Sequence, residues 1–162
     1  MSDLLKDISG TIEGLKTFDD VLDVSITLEE QGREFYLEKA STIKSVETIG
    51  LYNYLAEEEG HHADYLRQYQ KDKTVPEVRS NAPDFKTSFS MEFIDDRLGE
   101  IGVLLAALRL ERKSEYFYTE LSKRAENEKQ RDFFDKLAFF ERGHYELIDG
   151  FLGESTQFRM QT

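Results

Sequence analysis

The strongest constraint on this chain is a repeat within its own sequence. LEEQGREFYLE, beginning at Leu28, aligns without a gap on LERKSEYFYTE, beginning at Leu110. The same offset of 82 residues carries LAEEEGHH, from Leu55, onto LAFFERGH, from Leu137. Glu29 thereby pairs with Glu111, Glu59 with Glu141 and His62 with His144. The first glutamate is 30 residues from the second in both halves. Such self-similarity is read before any local pattern, because it fixes the architecture as two like halves.

Each half reads as a helix pair. Thr17 is an N-cap candidate with Asp20 three residues on. After it, Val21, Ser25, Leu28, Gly32 and Phe35 recur at steps of four and three, one inward stripe of a helix ending near Ala40. A second helix is expected over about Ser45 to Lys73, a third over Gly99 to Arg124 and a fourth over Asn127 to Leu152. The joins within pairs are short, so each pair (17–73 and 99–152) is antiparallel. Between them, residues 74–98 contain both prolines, Pro76 and Pro83, and no sustained helical pattern. This stretch is expected to be a long crossover with a short turn of helix near Phe93. The fold class is therefore an all-α, four-helix bundle with the one-crossover topology of ferritin-like proteins, a single domain over 1–162. Residues 1–16, with Leu4, Leu5, Ile8, Ile12 and Leu15, read as an N-terminal docking segment weakened by Gly10 and Gly14. Residues 153–162 read as a frayed polar tail.

The repeat places chemistry on the inward faces. Leu55, Glu59, His62 and Leu66 form one stripe, and Leu137, Glu141, His144 and Ile148 the matching one. Glu29 and Glu111 lie among leucines and tyrosines of the other two helices. Four carboxylates in one apolar interior repel each other and are expensive to bury unpaired, and no Lys or Arg shares their stripes. Metal is the remedy left. Glu and His three residues apart share a helix face. One Glu from each of two helices, with Glu-x-x-His from each of the others, is the donor set of dimetal carboxylate bundles. Four carboxylates also balance two divalent ions in charge.

GREFY after Glu29, EYFY after Glu111 and the paired Glu-x-x-His motifs resemble the rubrerythrin-like branch of the ferritin-like diiron proteins, over about residues 18 to 152. The resemblance implies that Glu29, Glu59, His62, Glu111, Glu141 and His144 are the metal ligands. It further implies two ions per chain, iron first, with manganese or zinc as alternatives on ligand chemistry. The implied activity is reduction of peroxide, protective against oxidative stress, with electrons from an external donor protein. O2-dependent iron oxidation and a structural metal-binding bundle are the alternatives. Full-length rubrerythrins carry a four-cysteine rubredoxin site, and this chain has no cysteine. They also carry an extra glutamate one turn after the third-helix ligand, where this chain has Ser114, which favours a more symmetric site.

Tyr36 and Tyr118 lean back along their helices toward the carboxylate layer and are candidate hydrogen-bond donors to the ligands, or core tyrosines with other acceptors. Glu58 and His61 form a competing Glu-x-x-His pair, but that register has no counterpart in the fourth helix, so His61 is assigned to the rim. Phe133, Phe134, Phe139 and Phe140 read as core and interface residues, and exposed aromatics make a homodimer the expected assembly. With 33 acidic and 21 basic residues, the net charge of -12 argues against nucleic acid and against anionic membrane surfaces. Absence of an apolar run of about 20 residues argues against a membrane span, and the MSDLLKD start lacks a secretory pattern. A cytoplasmic location is expected.

Overall fold

A computed structural model of the chain describes residues 10–76 and 97–161. Four helices make up the fold: α1 (Phe18–Thr42), α2 (Val46–Asp72), α3 (Arg97–Lys123) and α4 (Glu128–Gln161). A short helical turn at 10–13 precedes them. Among the described residues there is no strand, and no helix is long and apolar enough to cross a membrane.

Local chemistry sets the ends. Thr17 caps α1 with a full capping box: its Oγ1 accepts from the Asp20 N–H at 3.1 Å, and Asp20 Oδ2 accepts from the Thr17 N–H at 3.1 Å. Ser45 caps α2, its Oγ accepting from the Thr48 N–H. Asn127 does the same for α4, its Oδ1 accepting from the Gln130 N–H at 2.9 Å. Lys73 ends α2 in the left-handed region, φ 57°, with its N–H bonded to the Tyr69 carbonyl. Three residues, 43–45, join α1 to α2, and four, 124–127, join α3 to α4. Both pairs are consequently antiparallel hairpins.

The core is split in two. One apolar cluster combines Leu22 of α1, Leu66 and Tyr69 of α2, Phe117, Tyr118 and Leu121 of α3, and Phe133, Phe134 and Leu137 of α4. The other combines Tyr36, Leu51, Tyr52, Leu55, Leu104, Leu108, Ile148 and Phe151. The first cluster takes the start of α1 and α4 and the end of α2 and α3; the second takes the opposite ends. α2 and α3 therefore run parallel, and the chain between them must return along the bundle. About 24 residues are available, against a helix of about 40 Å, which an extended chain of that length spans easily. The expected crossover, with its helical turn near Phe93, falls mostly outside the described residues, as do Leu4, Leu5 and Ile8.

The structure departs from sequence expectation at the tail. The fourth helix continues to Gln161 rather than fraying after Leu152. GESTQFRMQ contains no proline and a single glycine, so nothing in it forces a stop. Of the N-terminal segment, Ile12 is buried in the first cluster beside Leu22 and Phe117. Gly14 closes the short turn through its N–H to the Gly10 carbonyl.

Replacing Thr17 by Ala removes the side-chain arm of the α1 capping box and leaves the Asp20 N–H without its acceptor. The expected loss is about 1 kcal/mol of unfolding free energy, read as a lower urea midpoint with an unchanged slope.

Candidate metal centre

Between the two apolar clusters lies a polar layer. α1 contributes Glu29, α2 Glu59 and His62, α3 Glu111, and α4 Glu141 and His144, all buried. The His62 Nδ1 is 3.1 Å from Glu141 Oε1, 3.4 Å from Glu29 Oε2 and 3.9 Å from Glu59 Oε2. The His144 Nδ1 is 3.4 Å from Glu111 Oε2, 3.7 Å from Glu141 Oε2 and 3.8 Å from Glu59 Oε1. The six residues thus form two groups of four, Glu29–Glu59–His62–Glu141 and Glu59–Glu111–Glu141–His144, with donor atoms inside each group within 4.8 Å of one another. Glu59 and Glu141 belong to both groups, one oxygen turned toward each histidine. That sharing was not legible in the sequence, where all four glutamates looked alike. The paired motifs hint at it, because a Glu on the same helix as a His sits at the centre of the layer.

The tyrosines cross between halves. Tyr36 of α1 donates to Glu111 Oε1 of α3, and Tyr118 of α3 donates to Glu29 Oε1 of α1. Each bond holds one oxygen of its carboxylate and leaves Oε2 facing the histidine. Sequence reasoning found the tyrosines but not their partners. Gly32, repeat partner of Ser114, also bears on the layer: a Cβ there would lie 3.3 Å from the Glu59 carboxyl carbon, a tight contact that would press on that carboxylate. Glu58 and His61 form their own pair at 3.5 Å, His61 being half exposed on the rim as expected.

Without a cation the layer is frustrated. Glu29 Oε2, Glu111 Oε2, Glu141 Oε2 and His144 Nδ1 are buried with no hydrogen-bond partner, although buried polar atoms are nearly always satisfied. Burial raises the Glu59 carboxyl, and the neighbouring Glu141, Glu29 and Glu111 raise it further. Burial also pushes Glu111 up to about 8, against the pull of His144. Burial works to raise Glu141 as well, but the adjacent His144 and His62 imidazoles bring it below the usual carboxylate range. For His62 burial disfavours the charge, yet Glu141 and Glu29 carry it to about 10. The metal-free protein thus balances its carboxylates with protons. Oxygen and imidazole donors in two overlapping sets fit divalent first-row metals, and their binding displaces those protons.

The sign of the pH dependence follows. Folded Glu111 keeps its proton to about pH 8, whereas the unpaired carboxyl releases it at 4.5. Its contribution to stability is full below 4.5 and is lost as pH rises through 8. His62 adds to the trend, its contribution full below 6.5 and lost toward 10. Glu141 acts oppositely but only at acid pH. The metal-free protein should therefore melt at lower temperature at pH 9 than at pH 6, and the metal-saturated protein should lose much of that slope. Loading at pH 7 should release protons, seen calorimetrically as a binding enthalpy that changes with the buffer's ionisation heat.

A family model described as Rubrerythrin matches residues 20–153. No curated protein and no solved structure gives a match. The matched span begins within α1, ends within α4 and contains all six residues of the polar layer, and on that match the chain belongs to the rubrerythrin family.

Proposed function

We propose that the protein is a non-haem diiron oxidoreductase that reduces peroxide with electrons delivered by an external donor. The observation that carries this reading is the pair of overlapping four-residue donor groups sharing Glu59 and Glu141. In this reading Glu29 and His62 would hold one ion and Glu111 and His144 the other, with Glu59 and Glu141 available to both. Bound iron would supply the two electrons that, with two protons, convert one hydrogen peroxide to two waters.

The chain's own residues do the rest. Four carboxylates neutralise two divalent ions, so the loaded layer carries no net buried charge. Tyr36 and Tyr118 keep Glu111 and Glu29 turned inward, which leaves each outer oxygen fixed. Apolar clusters on both sides exclude bulk water. The 162 residues hold no cysteine, so no thiolate redox centre within them can feed the site and the electrons must arrive from elsewhere.

A second reading, O2-dependent iron oxidation, draws support from Gly32 and Ser114. Neither of these two matched positions supplies a carboxylate for iron to move toward, and the six-residue set is balanced across the two halves.

Metal analysis should give two ions per chain, falling to about one in His62→Ala and in His144→Ala and unchanged in His61→Ala. One ion per chain in the unmodified protein would sink the dimetal assignment.

Stopped-flow oxidation of the anaerobic diferrous protein separates the two activities. Faster reaction with hydrogen peroxide than with equal O2 is the expected result. Faster reaction with O2, followed by many ferric ions accumulating per chain, would move the assignment to iron oxidation.

A further inference from the structure

The two histidines do not share the same surroundings, although the repeat makes their donor sets alike. Positions 58 and 140 are repeat partners, and each packs on the histidine of the opposite hairpin. Position 140 is Phe140, whose ring lies 5.6 Å from that of His62 at 31°. Position 58 is Glu58, whose Oε2 lies 4.0 Å from His144 Nε2, on the ring edge away from the donor layer. Tyr54 also meets His144 edge-on, ring centroids 6.5 Å apart. Glu58 is also the partly exposed member of a third group, Glu58–His62–His144, whose donor atoms lie within 4.8 Å of one another. Glu58 is thus in closer contact with His144, on the ring edge away from the donor layer, whereas Phe140 packs on His62.

We propose that Glu58 is a positioning residue that makes the two metal positions unequal, so that the first ion to bind settles beside His144. This rests on the dimetal reading above. A carboxylate on the outer edge of a ligating imidazole orients the ring and strengthens it as a donor. It also adds one negative charge that contacts His144 at 4.0 Å and reaches His62 only within the wider 4.8 Å group, so the bias it gives is one of degree. Phe140 gives His62 neither effect: it orients the ring by packing but offers no acceptor. The inequality is carried by residue 58, not by the six donors, since those are matched pair for pair across the repeat. At 4.0 Å the contact is longer than a direct hydrogen bond, so its influence is one of charge or of a bridging water. Either is removed when the carboxylate becomes an amide or a phenyl.

The test loads metal-free protein with one equivalent of zinc alone and reads occupancy at each position by anomalous scattering from crystals. In the unmodified chain, zinc should concentrate at the His144 position. In Glu58→Gln the preference should fall, with affinity there weakened about 10- to 100-fold, the range typical for loss of a partner to a ligating histidine. The exchanged double variant Glu58→Phe/Phe140→Glu should move the preference to the His62 position, and circular dichroism with the loaded stoichiometry at excess zinc would confirm that its bundle is intact. Equal half-loading in the unmodified chain would overturn the proposal. So would a His144 preference that persists undiminished in Glu58→Gln. Should excess zinc give fewer than two ions in the unmodified protein, the dimetal reading fails and takes this inference with it, an outcome distinct from two ions without preference.

Discussion

Four glutamates buried in one layer of a helical bundle decide most of what this molecule can be. Left ionised together they would drive the helices apart, because Glu59 and Glu141 lie within 4.8 Å of one another and of both Glu29 and Glu111, in a medium that screens poorly. The fold answers with two imidazoles, two tyrosine hydroxyls and, in the metal-free state, protons held on carboxyls well above their ordinary range. Four buried donor atoms still go unsatisfied. The apolar clusters above and below can be well packed only because this layer is compact, and it is compact only when its charge is balanced.

Much of this was readable from the chain. The offset of 82 residues paired the six donors before any coordinate was known, and the structure brings those same residues together within two groups. Thr17 caps α1 as its chemistry predicts, and α2 starts and stops within a residue of the expected Ser45 and Lys73. Other features were hidden because they depend on the relative rotation of the hairpins, which periodicity along one helix cannot report. The crossing of Tyr36 to Glu111, the sharing of Glu59 and Glu141, and the contact of Glu58 with His144 all belong to this class. The continuation of α4 to Gln161 was missed for a simpler reason: polar composition was read as fraying, though a polar helix needs only the absence of a stop.

The repeat also shows which constraints the two halves share and which they do not. Donor positions match at every pair, since a change in either half would unbalance the charge of the whole layer. One shell outward, the halves part company: Gly32 against Ser114, Glu58 against Phe140. Gly32, Glu58 and Phe140 lie against the six matched residues without belonging to the matched set, so they can alter the properties of one half while the set stays paired.

The crossed tyrosine bonds tie assembly to chemistry. Neither hairpin completes its own glutamate: α1 lends a hydroxyl to α3 and receives one in return. Forming helices, or even pairing them locally, therefore produces no finished half-site. The pocket comes into being at the late, long-range step in which one hairpin docks on the other. During folding, metal capture should accordingly lag behind helix formation and coincide with docking, making a bound ion a reporter of tertiary closure.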